Sequence, residues 1–386
     1  MTVLLGCRLT VFAAVVTIAA RFCPAQNLPS PLAGNTTDAV EKVSLATVSV
    51  VEIPSLPVES IAAPVLCLSD GGVLLRLAMP GTGLEDPVSI SEDGKTVVRF
   101  DRNKINDISR PTIRGLFPKG TDVYVLVMGS TPLGYEMRLR KPNDEVVSEP
   151  ASKASFFVGR FRRDGTYAGS VPLELPFKPL QFGVFDDGDF LIAGMDPRTS
   201  EPRVAVVASN GQLRRLLELK GDVHELEGSP QDGGDRDPTA LPRNKPWGGF
   251  AESLRDVVFT SQIAGDGSGL LLFRPSSGPM FSISPAGAVR ARKLGIQGVY
   301  RLFTVKRARD SWIVEYIHDI PGSTAQEFST YEFDPRSGGL KREYFFPADL
   351  GWGLACADGD EFTFIIADEK AGMLKLVKRA PQGRAR

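Results

Sequence analysis

The sequence predicts an all-β fold, a six-bladed β-propeller in which a strand near the amino terminus completes the last blade. Six pairs of apolar runs are each joined by a short polar or glycine turn, and five of the six pairs are followed by a second such turn. The final unit offers three strands instead of four, while a spare strand precedes the first unit. Hairpins repeated at intervals of tens of residues are typical of radial β-architectures.

The turns mark the units. The first turn of each unit lies at 70–72, 119–121, 186–188, 265–267, 309–311 and 358–360, and the second turns lie at 93–94, 164–165, 210–211, 286–287 and 338–339. Asn-Gly and Asp-Gly between alternating apolar residues are strong hairpin signals, because these residues adopt the left-handed backbone of a two-residue turn. Each unit is therefore predicted to contain up to four antiparallel strands, as one propeller blade does.

The units follow one another along the chain. They are predicted at about 64–100, 113–175, 182–219, 254–294, 300–346 and 351–378. The sixth unit ends with an unpaired edge, which is a liability in a soluble protein. The spare strand at Val43–Ile53 is therefore predicted to pair with this edge and close the ring. Unit two is long enough to hide irregular strands, so five or seven blades are the alternatives.

Two polar segments interrupt the units. Residues 141–152 are predicted as an insertion in unit two. Residues 232–247, within the connection at 220–253, are predicted as a long loop, because three prolines and a group of aspartates and glycines argue against a helix there.

Residues 1–25 are predicted to be a signal peptide. Arg8 supplies a positive charge, an apolar run follows at 11–20, and small residues suited to cleavage stand at 23–25. The apolar run is short for a membrane span, and no later stretch is apolar enough, so no transmembrane segment is expected. Export to the periplasm or the extracellular space is predicted. A lipoprotein with its lipid on Cys23 is the alternative, although the two residues before it are Arg and Phe.

Three segments follow the leader. Residues 26–42 are rich in Pro, Asn, Thr and Gly and are predicted to be a disordered lead-in. Residues 43–380 are predicted to form a single β-propeller domain, and 381–386 a flexible tail.

The mature chain keeps two cysteines, Cys67 and Cys356. They precede the first turns of the first and last units by three and two residues, so a closed ring would place their strands side by side. An oxidising compartment would favour a disulfide between them. The alternative is two buried cysteines that act as small apolar side chains.

Charge argues against two classes of partner. The chain has a formal net charge of −1 at pH 7. A nearly neutral chain has no electrostatic reason to bind nucleic acid or an anionic membrane. We expect a monomer without a cofactor.

Connection lengths predict one functional face. The turns that join strands one to two and three to four of each unit are short, whereas the other connections are longer and gather on the opposite face. Loops on a rigid scaffold carry binding residues. The candidates there are Trp247 and Trp352, which could stack on a sugar or a peptide, and the two histidines, His224 and His318. The alternatives are tryptophans wedged between blades and ordinary exposed histidines.

Motifs for catalysis are missing from the sequence. No Gly-x-Ser-x-Gly, His-Glu-x-x-His or Gly-x-x-x-x-Gly-Lys segment is present. Carboxylates are plentiful in the short turns, where aspartate is favoured because its side chain bonds the nearby backbone. A metal held by His224 and His318 would need a third ligand, and their spacing matches no known metal pattern.

Two segments carry a resemblance to a known class. Phe-Asp-Asp-Gly-Asp-Phe-Leu-Ile at 185–192, followed by Val-Val-Ala-Ser-Asn-Gly at 206–211, resembles six-bladed propellers of the NHL and TolB-like kind, as does Phe-Ser-Ile-Ser-Pro-Ala-Gly at 281–287. The resemblance covers most of the chain after residue 43 and is architectural. It implies a binding module or a lactonase- or lyase-type enzyme. Such enzymes carry Glu, Asn, Asp or His on inner strands around a metal, and the inner strands here show no such set.

The sequence thus favours an exported, non-enzymatic β-propeller that binds a protein or polymer ligand on its long-loop face. A secreted metal-dependent hydrolase or lyase, with its site at the mouth of the central channel, is the first alternative. A structural component of an envelope assembly is the second.

Overall fold

The computed structural model describes residues 40–54, 56, 60–79, 83–105, 108–140, 146–199, 201–219, 262–265, 270–273, 279–293, 301–319, 326–334, 339–345, 353–368 and 371–382. Across these residues the chain is all-β, apart from one turn of 3-10 helix at Arg102–Lys104. No helix within this described part is long and apolar enough to cross a membrane. The all-β prediction is confirmed.

The strands of the described residues, in chain order, are β1 (Glu41–Ile53), β2 (Ser60–Cys67), β3 (Val73–Met79), β4 (Gly83–Ile90), β5 (Val97–Arg99), β6 (Ser109–Lys119), β7 (Asp122–Arg140), β8 (Val146–Arg162), β9 (Tyr167–Pro172), β10 (Lys178–Val184), β11 (Phe190–Met195), β12 (Pro202–Val207), β13 (Leu213–Leu217), β14 (Gln262–Gly265), β15 (Leu270–Phe273), β16 (Pro279–Ile283), β17 (Val289–Lys293), β18 (Arg301–Ala308), β19 (Ser311–Asp319), β20 (Gln326–Phe333), β21 (Leu340–Phe345), β22 (Leu354–Asp358), β23 (Glu361–Asp368) and β24 (Met373–Pro381).

These strands form antiparallel units that we number along the chain. Units one to four are the four-stranded sheets β2–β5, β6–β9, β10–β13 and β14–β17. Unit five (β18–β21) and unit six (β22–β24) share an eight-stranded sheet with β1, in the order β18-β19-β20-β21-β1-β24-β23-β22. The first strands of successive units contact one another in the cycle β2, β6, β10, β14, β18, β22 and back to β2. The arrangement is propeller-like.

Local chemistry explains why the hairpins form where the sequence places them. In the short turns, an Asp or Asn side-chain oxygen accepts a hydrogen bond from the main-chain N–H two residues ahead. These bonds join Asp70 to Gly72, Asp93 to Lys95, Asp164 to Thr166, Asp187 to Asp189 and Asn210 to Gln212. A turn carboxylate that bonds its own backbone rigidifies the hairpin. The interpretation of these aspartates as turn formers agrees with the geometry.

Two predicted boundaries differ from the structure. Residues 146–152 of the predicted polar insertion at 141–152 lie in β8, because β7 and β8 continue past their outer neighbours and pair with each other as far as Arg140 and Val146. Strand β1 begins at Glu41 rather than Val43, because Glu41 and Lys42 pair with β21. Both segments are rich in polar residues and therefore lack the apolar alternation that predicts a strand. They are strands because their backbones pair with a neighbouring strand.

Strand β1 joins units five and six. Glu41–Ser44 pair in parallel with β21, and Leu45–Ile53 pair antiparallel with β24. A register shift between Thr47 and Ser49 changes the face on which alternate side chains lie. As a result Leu45 packs in the apolar cluster between units five and six, whereas Ile53 packs in the cluster that unit six shares with unit one.

A disulfide joins the first strands of units one and six. Cys67 on β2 and Cys356 on β22 are bonded, with Cα atoms 4.8 Å apart and a sequence separation of 289. Units six and one are therefore covalently linked at their inner strands, while β1 lies at the outer strand of unit six. Unit six is thus held by the disulfide at its first strand and by pairing with β1 at its last strand.

Loss of the disulfide is expected to destabilise the fold strongly. The chain between the cysteines is long, and a crosslink that closes a longer loop removes more entropy from the unfolded state. We expect C67A/C356A to lose about 2–5 kcal/mol of unfolding free energy in urea titrations. Reductant should shift the wild-type midpoint and leave that of the variant unchanged. If the thiols of the reduced wild-type protein can be titrated but its urea midpoint is unchanged, the disulfide does not have this stabilising role.

Candidate functional site

The two ends of the strands form different faces. Because successive strands in each unit are antiparallel, the connections from strand one to two and from three to four emerge at one end, which we call the turn face. The connections from strand two to three and from unit to unit emerge at the other end, which we call the long-connection face. The paired extension of β7 and β8 projects at the long-connection face.

Three ion pairs on the turn face join neighbouring units. Arg163 of unit two contacts Asp70 of unit one, with Nη1 and Oδ2 2.8 Å apart. Lys119 of unit two contacts Asp186 of unit three, and Arg309 of unit five contacts Asp358 of unit six. These charged side chains therefore hold neighbouring units together at the turn face.

The pKa of Asp70 reflects this pairing. Burial tends to raise the pKa, but hydrogen bonds from Arg163 and from the main-chain N–H of Gly72 outweigh it and hold the pKa below its usual value. The carboxylate is therefore kept charged, as a structural ion pair requires.

An arginine cluster lies between units one and two. We use this name for Arg76 on β3, Arg102 in the 3-10 turn that connects the two units, and Arg114 on β6. Arg76 has the same side-chain direction as Leu74, which packs in the apolar cluster shared by units one and two. The cluster extends from the middle of these strands toward the long-connection face.

Each guanidinium is held by a different contact. Arg76 donates from Nη1 to the carbonyl oxygen of Ile113, at 3.1 Å. Arg114 lies at a register shift of β6, where a bulge redirects a side chain, and its Nη2 is 3.5 Å from the sulfur of Met128. The Nε of Arg114 is buried and has no hydrogen-bond partner among the described residues.

One carboxylate faces the cluster within the described residues. The Nε of Arg102 lies 3.2 Å from Oδ1 of Asp86, and both side chains are partly exposed. Asp86 precedes Pro87, which is paired directly with Arg76 across the sheet. Asp101 begins the 3-10 turn by accepting a hydrogen bond from the N–H of Asn103, which fixes the backbone that carries Arg102.

Among the described residues, the cluster combines three guanidinium groups with one carboxylate, that of Asp86. Burial lowers the pKa of Arg76, and the charges of Arg114 and Arg102 lower it further. Like charges held together near an apolar wall raise the free energy of the unliganded protein. Planar guanidinium groups match the oxygens of carboxylate, sulfate or phosphate, so the arrangement can bind an oxyanion.

A second ionisable group, the buried pair Lys306 and Glu315, lies between units five and six. Lys306 on β18 and Glu315 on β19 share a face of unit five with Ile313, which packs against unit six. Lys306 Nζ donates to the carbonyl of Val65 in unit one, and Glu315 accepts from the N–H of Leu354 in unit six. This pair ties the inner strands of three units together.

Of the four ligand-binding residues predicted from the sequence, one lies in the described part of the chain. Trp247, Trp352 and His224 lie outside the described residues. His318 lies on β19, where its backbone is paired with Glu327. No group of three His, Cys, Asp or Glu residues suited to a metal ion occurs in the described part of the chain.

The arginine cluster was not predicted from the sequence. A signal was present in β3, where one arginine interrupts the apolar run Val-Leu-Leu-Arg-Leu. A charged residue inside an apolar run is unusual, because charged side chains are rarely buried without a partner. The convergence of Arg76 with Arg102 and Arg114 depends on packing between units, which local patterns do not reveal.

Comparisons with known proteins give structural likeness only. No protein-family model matches the chain, and no curated protein matches its sequence. A Bacteroides vulgatus member of the DUF4221 family is 9% identical with a TM-score of 0.45, and the match covers 89% of this chain and 100% of that one. A Bacteroides caccae protein of unknown function is 12% identical with a TM-score of 0.37, covering 75% and 81%.

A xyloglucanase from Xanthomonas campestris is also similar. It is 12% identical with a TM-score of 0.42, and the match covers 88% of this chain but 46% of that one. Likeness at these identities and scores assigns no activity to this chain.

Proposed function

We propose that this protein is an exported six-bladed β-propeller that binds a protein or polymer ligand on its long-connection face. The observation that carries the proposal is the arginine cluster, which among the described residues has three guanidinium groups and one carboxylate and lies toward that face between units one and two. The paired charges of the turn face support the same choice, because they already have partners in neighbouring units.

Three features support the remaining parts of the proposal. The cyclic contacts of six first strands favour six blades. The pairing of β1 with β24 favours closure of the last blade by the amino-terminal strand. The disulfide favours an oxidising compartment and therefore export. We propose that Trp247, Trp352, His224 and His318 contribute ligand contacts on the same face, and that the mature protein is a monomer.

Binding should depend on the long-connection face. We expect the mature protein to bind members of a glycan array or a peptide library. W247A and W352A should weaken this binding at least tenfold without lowering the unfolding midpoint, because an aromatic ring that stacks on a ligand contributes to binding and not to packing within the protein. R309Q on the turn face is the matched control and should bind as the wild type does.

Other outcomes would redirect the assignment. Equal loss of binding in R309Q would contradict the choice of face. Loss of stability in the tryptophan variants with unchanged binding would identify the rings as packing between blades. A stoichiometric divalent metal in the purified protein, together with turnover of a polymer, would favour the hydrolase or lyase alternative.

A further inference from the structure

Few hydrogen-bond acceptors surround the arginine cluster within the part of the chain that the structure describes. A guanidinium carries five N–H groups. Among the described residues, Arg76 donates one hydrogen bond to a main-chain carbonyl, and Arg114 has only the weak acceptor sulfur of Met128. The buried Nε of Arg114 is left without a partner. The cluster therefore presents donors that no described acceptor uses.

The charges of the described side chains in the cluster are also unbalanced. Arg102 has Asp86 as a partner, but no described carboxylate pairs with Arg76 or Arg114. The turn-face arginines Arg163 and Arg309, by contrast, each face an aspartate of a neighbouring unit. Within the described residues, therefore, these turn-face arginines have a counter-charge in a neighbouring unit, whereas Arg76 and Arg114 have none.

The surroundings hold the arginines in position. Asp86 and the capped 3-10 turn fix Arg102, while the bulge in β6 and the adjacent carbonyl of Ile113 fix Arg114 and Arg76 relative to each other. Donors that are pre-positioned and half-buried bind an oxyanion more strongly than mobile surface arginines do, because less side-chain entropy is lost.

We infer that Arg76, Arg102 and Arg114 form a binding site for an oxyanion group of the ligand, namely a carboxylate, sulfate or phosphate. This inference rests on the proposed function for the identity of the ligand as a macromolecule. The site itself is defined by these three side chains, with Asp86 positioning Arg102. The ligand is accordingly an acidic one.

The test titrates the mature wild-type protein with sodium sulfate, sodium phosphate and sodium acetate, each at an ionic strength held constant with chloride. Isothermal calorimetry and the unfolding midpoint are the readouts. We expect saturable binding of at least one anion and an upward shift of the midpoint, and the three arms identify the preferred group. R102Q and R114Q should each weaken this binding at least tenfold.

R160Q is the matched control, since Arg160 is an exposed arginine of unit two that pairs with Asp122 outside the cluster. It should bind the anion as the wild type does. R114K serves as a variant that keeps the charge and loses the planar fork, and it should retain part of the affinity while folding normally.

The outcomes separate the two proposals. Absence of saturable binding to all three anions, or equal weakening by R160Q, would overturn the oxyanion site, even if array ligands still bind through Trp247 and Trp352. Anion binding that R102Q and R114Q abolish, in a protein that binds no array ligand, would support the site and contradict the proposed macromolecular ligand.

Discussion

Replacement of Leu45 or Ile53 with alanine is expected to lower the free energy of unfolding by about 2–5 kcal/mol in each case. Both side chains on β1 are 1% exposed, and they pack in different apolar clusters, one between units five and six and the other shared with unit one. Because the two sites have no shared neighbours among the cluster residues, the effects in L45A/I53A should add. Urea denaturation monitored by circular dichroism measures the losses.

The same strand supplies the control. Val48 and Val50 are 42% and 52% exposed, so V48A and V50A should change the free energy of unfolding by less than about 0.5 kcal/mol. If the exposed and buried pairs had equal effects, β1 would not be seated between the units, and the closure of the ring by this strand would be wrong.

Removal of one member of the Lys306–Glu315 pair is expected to cost about 3–5 kcal/mol of unfolding free energy, because the other charge is left buried without its partner. Lys306 is 4% exposed and Glu315 is 3% exposed. K306M and E315M should each show this loss. The double variant K306M/E315M should recover it and match or exceed the wild type by up to about 4 kcal/mol.

An exposed pair is the control for this cycle. Arg203 and Glu201 form an ion pair with Nη2 and Oε2 2.6 Å apart, and R203M should cost less than about 1 kcal/mol because solvent screens the pair. A double variant that is as unstable as the sum of the single variants would show that Lys306 and Glu315 do not interact.

The gain in the double variant should depend on pH. Burial raises the pKa of Glu315 to about 7, and burial lowers the pKa of Lys306 to about 7, while each charge partly offsets the shift of the other. The penalty for Glu315 is absent below its ordinary pKa of 4.5 and grows as the pH rises to 7. The penalty for Lys306 is absent above 10.5 and grows as the pH falls to 7.

The two penalties overlap most near pH 7. The stability of K306M/E315M relative to the wild type should therefore be greatest near neutrality and decline toward pH 4.5 and pH 10.5. Urea midpoints collected across this range measure the difference. A difference that is independent of pH would show that both groups keep the same charge state on folding.

Sequence patterns alone determined the hairpins of this protein. Asp70, Asp93 and Asn210 act on their own backbone within two residues, so the turn positions follow from local chemistry. The spare strand could be matched to the last unit because a three-stranded sheet leaves an edge that needs a partner. The all-β fold and the place of β1 beside β24 follow from these two local facts.

Tertiary structure alone decided the rest. Because of the bulge in β1, Leu45 and Ile53 pack in different apolar clusters. The residue pattern of the strand does not predict a one-residue register shift. The arginine cluster and the Lys306–Glu315 pair form between units, where residues far apart in sequence are brought together by packing of neighbouring sheets. Local sequence encodes the turns because their hydrogen bonds span a few residues, whereas the charges meet only after the units have closed around one another.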